Sequence, residues 1–181
     1  MAAMASSTTL QMETFVALLR AVNVGGTGRL PMAHLRALCE AAGFQDVRTF
    51  IASGNVIFRC ALREAGAKAA LEARLEEFAG RPVGVLVRTA AEMAAVVRAN
   101  PFPDAPGNRV AAIFLNQPTS PATLHGITGQ VPDEDLRLGR REIYVQHGSG
   151  MGTSRLVIPA AKNATARNMN TVAKLATMAA G

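Results

Sequence analysis

The amino-acid sequence predicts an α+β fold: two related halves with antiparallel sheets, packed into one compact body. Three observations support this prediction. Hydrophobic residues make up 49% of the 181 residues, which is enough for a packed interior. Strand and helix patterns alternate twice along the chain. No linker rich in Pro, Gly or Ser divides the two passes, so we expect one body and not independent domains.

The first half, residues 13–88, begins with a continuous apolar run typical of a covered strand. Ser53-Gly54-Asn55 lies between two runs rich in β-branched residues and predicts a hairpin. The second helix is expected to bury Phe78. The predicted elements are a strand at 14–22, a helix at 31–42, strands at 47–52 and 56–59, a helix at 63–79 and a strand at 82–88. This βαββαβ order is that of a ferredoxin-like half.

The second half, residues 89–181, is a less regular α/β copy that ends in a helix. We predict a helix at 90–99, a strand at 110–115 and a hairpin that turns at Gly139-Arg140. Thr165 is the expected N-cap of a C-terminal helix at 166–179. Residues 1–12 are interpreted as a disordered N-terminal extension, because they lack an apolar pattern and do not resemble a signal peptide.

The chain is basic, with a net charge of +6 and a pI of about 10.3. Such a charge suits an anionic partner. Two long segments, 14–39 and 143–181, contain no Asp or Glu, so one face becomes basic if the fold brings the two ends together. The alternative is that the arginines are merely spread over a solvated surface.

Cysteine and histidine give no sign of a metal centre. Cys39 and Cys60 do not form a CxxC pair, and His34, His125 and His147 lack the spacing of metal ligands. We therefore predict no metal and no disulfide framework, which fits a reducing cytoplasm. No apolar run reaches the length of about 18 residues that a membrane span needs. The histidines are interpreted as surface or core-edge residues.

A glycine-rich junction between the first strand and the first helix is one candidate binding site. Gly25 and Gly26 are followed by Arg29, and Arg20 and Asn23 precede them. Free backbone amides before a helix can hold an anion. The spacing matches neither the Walker nor the Rossmann pattern. A tight turn that needs positive φ angles is an equally good explanation.

The start of the C-terminal helix is the second candidate. With Thr165 as N-cap, Arg167 and Asn168 would lie in the first turn, where a cation opposes the helix dipole. Asn170 adds a further polar group that a helix interior does not need. We expect Arg167 to meet a carboxylate from elsewhere or a bound anion.

Two further residues are weaker candidates. Arg155 follows the glycine loop at 148–152 and could approach a ligand, although this loop also suits a flexible hairpin exit. Asn55 could contact the same ligand, but an asparagine in a hairpin is more often a turn residue.

Several motifs together resemble the bacterial domain of unknown function 1697 family. They are Leu18-Leu19-Arg20-Ala21-Val22-Asn23-Val24-Gly25-Gly26, Met32 with Leu35, Ser53-Gly54-Asn55-Val56, Asn100-Pro101-Phe102, and Thr165 with Arg167-Asn168 and Asn170-Thr171. The resemblance implies a small cytoplasmic α/β protein with ferredoxin-like halves and no established activity. Two residues depart from the family pattern: Ala21 stands at a usual Gly, and Met169 at a usual Trp.

The binding hypothesis brings the two acid-free segments together around one basic pocket for a nucleotide or phosphorylated metabolite. The sequence offers no general base, so catalytic residues, cofactor and enzymatic activity stay unassigned. The weaker alternatives are a nucleic-acid-binding module, which the scarcity of aromatics disfavours, and a structural or oligomerisation module, as monomer or homodimer. The candidate ligand-binding residues are Arg20, Asn23, Gly25, Gly26, Arg29, Asn55, Arg155, Arg167, Asn168 and Asn170.

Overall fold

The structure is a computed structural model that describes residues 11–21 and 29–181. The expected N-terminal extension, apart from its last two residues, and the glycine junction at 22–28 lie outside this part of the chain. In chain order the helices and strands are β1 (Glu13–Leu19), α1 (Met32–Ala41), β2 (Gln45–Phe50), β3 (Asn55–Cys60), α2 (Glu64–Ala79), β4 (Val85–Thr89), α3 (Ala90–Arg98), β5 (Val110–Phe114), β6 (Glu134–Leu138), β7 (Glu142–His147), β8 (Thr165–Asn168) and α4 (Met169–Ala180).

The strands form two four-stranded antiparallel sheets with equivalent topology. The first sheet has the order β2-β3-β1-β4 and the second the order β6-β7-β5-β8. Within each half, the first strand therefore lies between the third and the fourth. In the second half, short 3-10 turns such as Pro121–Leu124 and Pro159–Ala161 occupy the connections that carry α1 and α2 in the first. The predicted fold class, two similar α+β halves in one body, is confirmed.

Three apolar clusters hold the body together. The outer face of the first sheet packs on α1 and α2 through residues such as Leu35, Leu71 and Phe58. The inner faces of both sheets enclose α3 and α4, so Val16 of β1 and Phe114 of β5 share one central core with these helices. The outer face of the second sheet is covered by the 3-10 turns and loops. The two halves thus share the central core.

Two local predictions were wrong. The C-terminal helix does not start at 166 with Thr165 as its cap: residues Thr165–Asn168 form the edge strand β8, and Asn168 caps α4 by accepting a bond from Thr171 N at 2.9 Å. Phe78 is not buried but 47% exposed, with its ring edge-on to His34 at a centroid distance of 5.5 Å. The first error matters for function, because it moves Arg167 from a helix into a strand. Among the described residues, no helix has the length and apolar character needed to cross a membrane.

Candidate functional site

The two ends of the chain meet where β1 ends and β8 begins. Arg167 of β8 is 8% exposed, and its Nη2 donates to Leu19 O at 3.0 Å. Arg20 follows Leu19 and reaches in the opposite direction, donating from Nη2 to Lys162 O at 2.9 Å and from Nε to Ala164 O at 3.2 Å. Each arginine therefore binds the segment that carries the other, and the expected convergence of the acid-free segments is present.

Arg167 is anchored by protein acceptors on all three guanidinium nitrogens. Its Nε donates to Asn55 Oδ1 at 2.6 Å, and Nη1 donates to Thr165 Oγ1 at 2.8 Å. Its Nη2 also reaches Ser53 O at 2.8 Å. The fully buried Asn55 side chain in turn donates to Phe50 O at 2.9 Å. The guanidinium thus ties the hairpin between β2 and β3 to the edge strand of the other sheet.

A second arginine forms the same tie in the opposite direction. Val16 of β1 pairs with Arg88, and its counterpart Ala112 of β5 pairs with Arg167, so the two arginines occupy equivalent positions. Arg88 Nη2 donates to Leu115 O at 2.5 Å and to Arg141 O at 3.1 Å, the positions equivalent to Leu19 and Gly54. Each half therefore contains one buried arginine whose guanidinium hydrogen-bonds a strand end and the hairpin of the other half.

The surroundings of the two buried arginines, Arg88 and Arg167, differ in charge. Around Arg88, the neighbouring Arg141 binds Glu64 at 2.8 Å and Glu92 at 3.3 Å. Glu142 follows in the same hairpin and accepts bonds from the backbone of residues 140 and 141. Burial, then the charge of Arg141, lowers the pKa of Arg88 to about 10, and these three carboxylates oppose the shift. At this end the cations are accompanied by anions.

Around Arg167, the described acceptors are neutral. Its partners are carbonyl, amide and hydroxyl oxygens, and Asn55 occupies the position that Glu142 has in the other half. Burial alone lowers the pKa of Arg167 to about 10. Arg20 likewise bonds carbonyl oxygens. A buried guanidinium with neutral partners keeps its full positive charge, and this charge makes the end attractive to an anion.

The other candidate residues are distributed around this end or away from it. Asn168 serves as helix cap. Asn170 lies against Gly107, where an added Cβ would clash with its Oδ1. Arg155 is exposed, and its backbone adjoins Gly129 beneath the second sheet. In the described part of the chain, neither Arg155 nor Asn170 hydrogen-bonds Arg20 or Arg167.

The structure describes the glycine-rich segment between β1 and α1 only at its two ends. Arg29 is exposed and follows the segment 22–28 directly. The candidates Asn23, Gly25 and Gly26 lie outside the described residues. Their role in binding stays a prediction, as do the roles of the other candidate residues.

A family model that covers most of the chain shows which family it belongs to. The family model described as "Protein of unknown function (DUF1697)" matches residues 12–144. The chain belongs to this family. The fold agrees with a solved structure of a conserved bacterial protein from Streptococcus pneumoniae, at a TM-score of 0.78 and 23% identity over 93% of this chain and 99% of that chain. At this identity the likeness shows the fold alone. No curated protein matches the chain.

The two departures from the DUF1697 pattern have structural explanations. Ala21 has a φ of 47°, a left-handed conformation that glycine adopts at lower cost, which accounts for the usual Gly at this position. Met169 is 6% exposed and lies in the central core with Val172 and Leu175. Met169 is therefore a core residue of this chain, a role that suits the adaptable methionine side chain.

Sequence reasoning missed two groups, Arg88 and the pair formed by His147 and Glu134. Arg88 gave no local signal, because its partners are distant in sequence. The pairing of His147 with Glu134 was also missed, because it depends on strand register. Burial, with a smaller effect of Glu40, raises the pKa of Cys39 to about 12, so this thiol stays protonated at neutral pH. Within residues 11–21 and 29–181, no cluster of His, Cys, Asp or Glu could hold a metal ion.

Proposed function

We propose that this protein binds a small anionic molecule, a nucleotide or a phosphorylated metabolite, where the end of β1 meets β8. The observation that carries the proposal is the contrast between the two equivalent ends of the molecule. Arg88 and Arg141 have carboxylate neighbours, whereas Arg167 and Arg20 bond neutral oxygens. An anion would supply the compensation that carboxylates supply at the other end.

Electrostatic attraction favours an anion at this end. A unit charge placed 4 Å from a cation at a partly buried site gains on the order of 4 kcal/mol, and less where water screens the pair. Arg167 is buried and would act through its field, while we assign contact with the ligand to the half-buried Arg20 and to the exposed Lys162 and Arg29. Direct contact is thus assigned to Arg20, and long-range attraction to Arg167.

Thermal unfolding in the presence of phosphorylated metabolites and nucleotides tests the proposal, with chloride balancing the ionic strength. A ligand whose free concentration is 100 times its Kd raises the free energy of unfolding by about 2.7 kcal/mol. For a chain of this size we expect a rise of about 5–10 °C in Tm. Arg20→Ala should abolish the rise, because it removes the contact cation without emptying the core.

The matched control is Arg59→Ala. Arg59 is also partly exposed, but it pairs with Asp46 at 3.2 Å and lies at the opposite end of β3, about 16 Å from Gly54. This variant should respond to the ligands as the wild type does. The proposal fails if no small anion raises the Tm, or if Arg20→Ala and Arg59→Ala respond alike. It also fails if only oligonucleotides stabilise, with a steep salt dependence.

A further inference from the structure

A separate cavity opens at the end of β7, beside the segment that leads into β5. Its volume is about 430 Å³, within the range of small-molecule sites. Phe102 and three prolines form apolar walls, and Asp104, Arg109 and His147 bring charged or polar groups to the same space. None of these residues takes part in the anion site proposed above. The cavity therefore combines an apolar surface with groups of both charges.

His147 is held in one orientation by a buried carboxylate. It pairs across the strands with Glu134, and Nδ1 lies 3.0 Å from Glu134 Oε1. Burial raises the pKa of Glu134, but bonds from Ser154, His147 and the backbone of Val131 outweigh it, so the net shift is downward and the carboxylate is ionised at neutral pH. An ionised carboxylate can only accept hydrogen bonds, so the ring donates to Glu134 through its Nδ1–H.

The other ring nitrogen, Nε2, is left to face the cavity. No described residue hydrogen-bonds His147 Nε2, and the ring lines the cavity wall. The array is not a serine nucleophile with its base, because the Ser154 hydroxyl donates to Glu134 and not to the imidazole. The ring is therefore held in place as a polar part of the cavity wall.

Arg109 places a cation on the same cavity. Its guanidinium is exposed, and Nη1 donates to Gly148 O at 2.8 Å. Gly148 is itself tightly placed, since an added Cβ would lie 2.7 Å from atoms of Asp133. Asp104 lines the cavity as an exposed carboxylate. A ligand that satisfies both the Arg109 cation and the Asp104 carboxylate carries a negative group and a positive donor together.

We propose that this cavity binds a small zwitterion of the amino-acid type with an apolar side chain. Its carboxylate would pair with Arg109 and its ammonium would donate to Asp104, with the His147 ring beside them. The apolar side chain would lie against Phe102 and the prolines, where burial of apolar surface is favourable. Both charged ends are needed for the full affinity.

Titration followed by the NMR signals of the His147 imidazole tests this site directly. The probes are L-phenylalanine, 3-phenylpropionate, which lacks the ammonium, and 2-phenylethylamine, which lacks the carboxylate. We expect L-phenylalanine to shift the His147 signals saturably and each fragment to bind at least tenfold more weakly. Arg109→Ala should weaken L-phenylalanine at least tenfold, while Arg59→Ala and Arg20→Ala leave it unchanged.

Three results would overturn the inference. The first is the absence of a saturable shift of the His147 signals with L-phenylalanine. The second is equal affinity for L-phenylalanine and for either fragment, which would show that one charged group is irrelevant. The third is an Arg109→Ala variant that binds as the wild type does. Because Arg20 is distant from the cavity, the outcome is independent of the metabolite experiment.

Discussion

Replacing the two equivalent arginines by methionine should have unequal effects on stability. In Arg167→Met, the Asn55 amide oxygen loses its Arg donor inside the core, which costs about 1–3 kcal/mol. The bonds to Leu19 O and Ser53 O are lost as well, at about 1 kcal/mol each. After allowing for the easier burial of an uncharged side chain, we expect a loss of about 3–4 kcal/mol.

Arg88→Met should cost less. Arg88 Nε is buried without a hydrogen-bond partner, so no acceptor is orphaned there and an unpaired donor is removed. Only the bonds to Leu115 O and Arg141 O, each about 1 kcal/mol, are lost between the halves, and we expect a net loss of about 1 kcal/mol.

Urea unfolding followed by circular dichroism compares the two variants, since a chain of this size has roughly 5–15 kcal/mol of stability and both should fold. Arg167→Lys, which keeps the charge but not the planar fork, should fall between wild type and Arg167→Met. The reasoning is refuted if Arg88→Met destabilises as much as Arg167→Met or more.

Three other predictions follow from burial, protonation and close packing. Native Cys39 should not react with a thiol reagent at pH 8, because its pKa is raised to about 12; rapid labelling before unfolding would contradict this. The folded-state pKa of Glu134 is lowered, so its stabilising contribution is present above the unfolded value of about 4.3 and is lost as pH falls through the folded one. The stability difference between wild type and E134Q should therefore shrink below about pH 4, and a constant difference in acid titrations would be inconsistent with it. Gly148→Ala should destabilise by about 1–3 kcal/mol because its Cβ would meet Asp133 at 2.7 Å, whereas Gly152→Ala has nothing within 4 Å and should be nearly neutral in thermal unfolding.

The sequence was informative where structure is local. The hairpin at Gly139-Arg140 and the helix ended before Pro101 follow from short-range turn and proline chemistry, and both are present. The strand β8 was missed because four residues next to a helix are too few to show an alternating pattern, and only pairing with β5 makes them a strand.

The site depends on contacts that local patterns do not encode. Arg167 reaches Leu19, which is 148 positions away, and Asn55, which is 112 positions away. The absence of acids from both segments did indicate that they carry related charge. It could not reveal that Arg167 is bonded internally, or that Arg88 forms the equivalent tie, because each bond depends on the register of two different sheets.

A carboxylate added beside Arg167 tests whether positive charge at the Arg20–Arg167 end attracts the ligand. The other half has such a carboxylate in Glu142. Asn55→Asp adds one at the equivalent position, next to Arg167 Nε. Calorimetric titration with inorganic pyrophosphate at fixed ionic strength should show one site in the wild type and at least tenfold weaker binding in the folded Asn55→Asp protein. Equal pyrophosphate affinity in both proteins, or none in the wild type, would contradict the proposal that uncompensated positive charge at this end attracts the ligand.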